Sequence, residues 1–139
     1  MSNIGQIERL TQNRIVKLFK EQLGYKSYGN WEERQNNSNI EEKYLASYLY
    51  NQGHPVSIFS KAIYELKQVA DSFSDDLYLK NKKVYAMLRY GVQVKEEAGT
   101  NYTTVQLIDW KNWDNNDFAI AEEVTIKGKH EKRPDIVLY

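Results

Sequence analysis

The sequence contains no cysteine, only two prolines and only two histidines. Without cysteine there are no disulfide scaffolds, no thiolate zinc sites and no cysteine nucleophiles, and the chain suits a reducing compartment. The histidines, His54 and His130, have no metal-ligand spacing between them. No Gly-x-Ser-x-Gly elbow is present to serve a serine hydrolase, which leaves an unrelated hydrolase built on His54 or His130 as the weakest reading. A Gly-x-x-x-x-Gly-Lys phosphate loop is also missing, which argues against nucleotide binding within these residues. No apolar run approaches the roughly 20 residues of a membrane span, and the N-terminal residues lack the basic start and apolar stretch of a signal peptide. These absences lead us to expect a soluble, cytoplasmic protein with no membrane partner.

The 139 residues are 41% hydrophobic and 13% aromatic, enough for one packed domain. Basic and acidic residues number 19 each. A net charge of zero excludes no nucleic-acid function, because such binding needs a local basic face rather than a basic total.

Apolar residues at Ile4, Ile7, Leu10, Ile15, Leu18, Phe19 and Leu23 keep helical period, and Gly24 follows as a stop, predicting an amphipathic helix over 4–23. A short strand is expected near Tyr25–Tyr28. Ser38 or Asn39 is placed to cap a helix from Ile40, whose buried stripe is Tyr44, Leu45, Tyr48 and Leu49 and which Gly53 closes. A third helix opens at Ser57 and carries Ile58, Phe59, Ala62, Ile63, Leu66, Val69 and Ala70. A fourth covers about 77–89, with Leu77, Val84, Tyr85 and Leu88 inward. From Tyr90–Gly91 the period changes to that of strands, with Val92 and Val94, then Val105 and Leu107, joined through Ala98–Asn101. Phe118, Ile120, Val124 and Ile126 continue the habit, and Ile136–Tyr139 closes the chain. The fold class is therefore α/β or α+β, with helices first and about four strands after. The last strand is the most apolar and the sequence ends inside it, so a boundary cut through a longer protein is at least as expected as a complete one.

The residues that could carry chemistry cluster at the end. In Arg133-Pro134-Asp135-Ile136 a proline opens the strand, where no ladder hydrogen bond is needed from it. Asp135 then stands at the mouth of that strand beside Lys129, Lys132 and Arg133, with Lys127 nearby. A carboxylate on a strand edge suits magnesium, which prefers a few oxygen donors, and the cations suit phosphate. The plain alternative is a turn aspartate beside solvated lysines, and spacing alone favours it. Glu122 and Glu123 are adjacent, so on a regular strand they point to opposite faces and at most one reaches a common site. Glu8 and Glu42 lie on helices and read best as solvated. Trp31, Trp110 and Trp113 fall near loops and are the aromatics best placed to meet a partner, whereas Tyr44, Tyr48 and Tyr85 read as core.

Six stretches taken together carry a resemblance. They are Thr11–Phe19 leading to Leu23-Gly24-Tyr25, Asn37–Glu42, Leu88-Arg89-Tyr90-Gly91, Leu107–Trp110, Asn116–Val124 and Arg133–Tyr139. In this order the sequence resembles the N-terminal nuclease domain of the restriction (R) subunit of type I restriction-modification enzymes, from about residue 8 to the end. The resemblance implies a restriction-endonuclease-like fold, with a mixed central sheet flanked by helices, in a single domain over 1–139 that is part of a longer chain. It also implies the PD-(D/E)xK pattern, Pro-Asp opening one strand and Glu-x-Lys on the next. On that pattern Asp135 is the metal and catalytic aspartate for Mg2+, and Glu8 is the positional candidate for a further acidic residue from the first helix. Lys127, Lys129, Lys132 and Arg133 become candidate DNA contacts. The Glu-x-Lys half has no credible match within these residues: Glu131-Lys132 precedes the aspartate, and Glu65-Leu66-Lys67 sits in an expected helix. The parent implied by the resemblance is an ATP-dependent DNA translocase and endonuclease, working with modification and specificity subunits. Its ATP would bind motor domains outside this sequence. On its own this piece is expected to be inactive, the alternative being a non-catalytic nuclease-like module that binds DNA or a partner of the restriction complex.

Overall fold

The computed structural model describes residues 3–139, with side chains from residue 4 onward. Among these residues the elements run α1 (Asn3–Glu21), β1 (Lys26–Asn30), α2 (Glu42–Asn51), α3 (Val56–Ala70), α4 (Leu77–Tyr90), β2 (Val92–Val94), β3 (Thr103–Val105), a 3-10 turn (Trp113–Asn115), β4 (Ala119–Glu122) and β5 (Ile136–Leu138). The protein is mixed α/β, as the periodicities predict. The strands divide between two sheets, one of three strands in the order β1-β4-β5 and one hairpin of β2 and β3. The chain correspondingly forms two compact units, Met1–Asn39 with Asp117–Tyr139, and Ile40–Asn116.

In the first unit the three-stranded sheet is mixed. β1 runs parallel to β4, and β4 runs antiparallel to β5 with Glu122 opposite Ile136. Parallel neighbours cannot be joined by a tight turn, and here the whole of Ile40–Asn116 intervenes in sequence. β4 is the central strand, and Ala119, Ile120 and Ala121 are almost wholly buried. Trp31 is buried too, stacked on Tyr28 at 5.5 Å and against Tyr139 at 5.5 Å, with its indole N–H donated to the Tyr28 carbonyl. The expectation that Trp31 meets a partner is thus overturned. Its ring is the apolar body of this small core, and Arg34 covers the remaining face 3.7 Å from the ring centroid.

α1 departs from its expected burial in another way. Val16 is buried and Phe19 packs edge-on to Tyr25, yet Ile4, Ile7 and Leu10 are more than 60% exposed. Length supplies the reason. A helix of 19 residues extends about 28 Å, whereas strands of three to five residues cover only about 10–17 Å. The sheet therefore covers the C-terminal half of the helix and leaves the first half bare.

In the second unit Leu49, Ile58, Ala62, Ile63 and Leu66 from α2 and α3 pack with Val92, Val94, Val105 and Leu107. Val92 and Val94 alternate with exposed Gln93, which gives the hairpin one buried face. α2 starts at Glu42, two residues after the expected Ile40, with Glu41 rather than Ser38 or Asn39 at the N-cap position and no cap hydrogen bond from the Glu41 side chain. α4 is capped by Asp76, whose carboxylate accepts from the Leu79 N–H at 2.8 Å. Gly91 ends α4 at φ +84°, and a β-carbon there would lie 2.9 Å from both Thr104 Cγ2 and the Val105 carbonyl. Only glycine both adopts that backbone and lets β2 leave the helix so close to β3.

Candidate functional site

β5 begins directly after Asp135, so Asp135 stands at its mouth as the sequence predicts. The backbone on either side is fixed by β4's continuation. The Glu123 N–H donates to the Asp135 carbonyl at 2.9 Å and the Val124 N–H to the Pro134 carbonyl at 3.1 Å. Farther along, Ile126 and Lys132 exchange two backbone hydrogen bonds of 2.7 and 2.9 Å, which closes a turn over residues 127–131. The Asp135 carboxylate itself is exposed and has no hydrogen bond or ion pair among the described residues.

Glu122 and Glu123 do not behave as adjacent strand residues. Glu123 has left the strand with φ +52°, a left-handed conformation that rotates its side chain from the face opposite Glu122 toward the same side. Both carboxylates then accept from one donor, the side-chain amide of Gln12 on α1, at 3.2 and 3.3 Å. The same amide lies 3.5 Å from the Asp135 carbonyl. The expectation that at most one glutamate faces a common site assumed regular strand geometry through Glu123, and the structure corrects it. Glu123 is also buried, at 8% exposure.

Arg133 accounts for the remainder of Glu123. Its Nε lies 3.1 Å from Glu123 Oε2 and its Nη1 lies 2.6 Å from Glu32 Oε1, so one guanidinium spans the segments following β1 and β4. Of the four expected cations, Lys127, Lys129 and Lys132 are exposed and have no ion pair among the described residues, while Arg133 is bound between two carboxylates. Glu8 is exposed on α1, one turn before Gln12, with no side-chain hydrogen bond or ion pair among the described residues. A cleft of about 160 Å³ opens beside Glu122 and is lined by Asn13, Val16, Lys17, Lys20 and Glu21.

The chemistry of these donors is oxygen throughout, which suits a hard cation such as magnesium over zinc. Among the described residues no three acidic or histidine side chains stand together closely enough to hold a metal. Asp135 is therefore a single unpaired carboxylate, while Glu122 and Glu123 share the Gln12 amide. Gln12 and Glu32 went unnoticed in the sequence. The available signal for Gln12 was its position at i, i+4, i+7 with Val16 and Phe19, a polar residue on the inward face of a helix; Glu32 offered none.

Fold and site together define a mixed α/β protein with a free carboxylate opening a strand of a three-stranded mixed sheet. The family model described as the type I restriction enzyme R protein N terminus (HSDR_N) matches residues 6–139, and the chain belongs to that family. No curated protein and no solved structure matches it.

Proposed function

We propose that this chain is the leading part of the endonuclease domain of a type I restriction enzyme R protein, and that Asp135 is a magnesium ligand of that domain. One observation carries the reading: in a chain of this family, the aspartate at the Pro-Asp position is exposed, unpaired and held by its backbone at the start of β5. A structural turn aspartate would ordinarily use its carboxylate in a local hydrogen bond. Magnesium bound here would neutralise charge on a phosphodiester and activate a water. Asp135 would hold it, Glu8 is the candidate from α1, and Gln12, Glu123 and Arg133 keep the Asp135 backbone in place. Lys127, Lys129 and Lys132 are the cations free to meet DNA phosphates.

The second carboxylate and the lysine of the family pattern have no counterpart in these residues. Glu65 and Lys67 lie on α3, where Lys67 is paired with Glu42 at 2.9 Å. Cleavage of both DNA strands, coupled to ATP-driven translocation, accordingly belongs to the longer R protein acting with modification and specificity subunits. The isolated chain is inactive in this reading. In the full R protein Asp135→Ala should abolish DNA cleavage and leave ATP-driven translocation intact. Loss of both activities would make Asp135 structural, and retained cleavage would remove it from the metal site.

The three unpaired lysines favour one other reading, a non-catalytic module that holds DNA through the 127–133 turn. Binding of duplex DNA that weakens steeply with salt, with no magnesium dependence of any activity in the full protein, would support it.

A further inference from the structure

No residue of α4 is fully buried. Its inner side is held by Val84, Met87 and Leu88 against the core of the second unit. The helix carries Lys80, Lys82, Lys83 and Arg89 and not one acidic residue. On the side away from the core, Tyr78, Lys82, Tyr85 and Arg89 follow at i, i+4, i+7 and i+11, which sets them in one stripe along the helix. The rings of Tyr78 and Tyr85 are 75% and 63% exposed. Lys82 has no ion pair among the described residues, whereas neighbouring Lys83 is taken up by Asp75 at 2.7 Å.

The stripe continues onto Trp110. Its indole N–H donates to the Leu88 carbonyl at 2.9 Å, which pins the ring at the end of α4, and the Arg89 guanidinium sits 5.2 Å from its centroid. Half of Trp110 and most of Tyr90 remain exposed. Aromatic and cationic side chains thus alternate along about 16 Å of helix, with the last pair fixed in advance.

We propose that this stripe binds an unpaired nucleic-acid strand, with Lys82 and Arg89 on phosphates and Tyr78, Tyr85 and Trp110 against base faces. The charged side chains of the stripe, Lys82 and Arg89, are both cationic and call for a polyanion. The rings narrow the choice, because stacking on them needs bases whose faces are free. In a duplex those faces are already stacked on one another, and lysines alone would serve the backbone. The surface lies in the second unit, does not include Asp135, and stands whether or not Asp135 binds magnesium.

The test is fluorescence anisotropy of a labelled oligothymidylate with the 139-residue chain. Binding should weaken about sevenfold between 50 and 200 mM salt, the expectation for two phosphate contacts on a single strand. Tyr78→Ala with Tyr85→Ala should weaken it about tenfold or more, and Lys82→Glu with Arg89→Glu should abolish it. All four positions are exposed, so far-ultraviolet circular dichroism should show the variants folded. The proposal is overturned if the oligonucleotide does not bind, if the tyrosine variants bind it unchanged, or if those variants lose a duplex of equal length as strongly as they lose the single strand. It is equally overturned if binding is lost only on replacing Lys129 and Lys132. An Asp135→Ala variant should bind like the unaltered chain, which separates this surface from the metal site.

Discussion

Glu122 and Glu123, neighbours in sequence, turn their carboxylates to the same amide, that of Gln12, at 3.2 and 3.3 Å. Two like charges so close would repel, and the arrangement holds because a donor from α1 lies between them and Arg133 takes the far oxygen of Glu123. The left-handed turn at Glu123 that permits this also aims its N–H at the Asp135 carbonyl. One local backbone irregularity therefore joins α1, β4 and the start of β5.

Replacing Gln12 by leucine should destabilise the fold by about 1–2 kcal/mol, since both glutamates lose their shared donor. Gln12→Glu should cost more at neutral pH, where it adds a third carboxylate, and the extra loss should shrink in acid. Urea unfolding at pH 7 and pH 4 distinguishes the two; equal stability of both variants at both pH values would show that the amide contributes nothing.

At Glu123 the backbone and side-chain contributions can be separated. Glu123→Ala and Glu123→Gly both remove the Arg133 and Gln12 contacts, but only glycine relieves the positive φ. The glycine variant should be the more stable by about 1 kcal/mol. An alanine variant as stable as glycine would show that the left-handed backbone does not persist without the glutamate.

Gly91→Ala should cost about 2–5 kcal/mol, combining an unfavourable backbone region with overlap on Thr104 and Val105. Gly24 also has positive φ, at +72°, but meets nothing within 4 Å, so Gly24→Ala should cost only about 1 kcal/mol. Thermal unfolding of the pair provides the measurement, and a reversed order would contradict the close approach of β2 and β3.

Asp109 predicts an acid dependence. The Asn112 N–H, then the Asn115 side-chain amide, hold its carboxyl below the usual 3.8, with the Lys111 N–H adding to them. A depressed folded value means that the stabilisation is complete above the unfolded value and is lost as pH falls through the folded one. Carbon-detected NMR should place the Asp109 midpoint below 3.8. Asp109→Asn should flatten the fall in stability below about pH 4, and an unshifted midpoint would rule the effect out.

Much of the local structure was legible from spacing. The helices from Val56 and Leu77, the strands at Val92 and Val105 and the strand after Asp135 all lie close to where apolar period puts them, because that period reflects which face must leave water. Asp135 was legible as well, since Pro-Asp before an apolar strand can only stand at its mouth. Burial was less so. Ile4, Ile7 and Leu10 have the pattern of a covered stripe and are exposed, and Trp31 looks like a loop aromatic and is core. Pattern states which face is apolar, but not whether another element is long enough to cover it.

The sequence by itself determined the element types, the α/β class, the family and the position of the strand-opening aspartate, because each depends on residues near one another in the chain. The tertiary structure alone decided that Gln12 meets Glu122 and Glu123, and that Arg133 is held between Glu32 and Glu123 while three lysines stay free. The contacts of Gln12 and Glu32 join residues about a hundred positions apart, and those of Glu123 depend on its own left-handed backbone at the end of β4. A regular strand would have sent Glu123 to the other face, and nothing in the local order of residues reports that it does not.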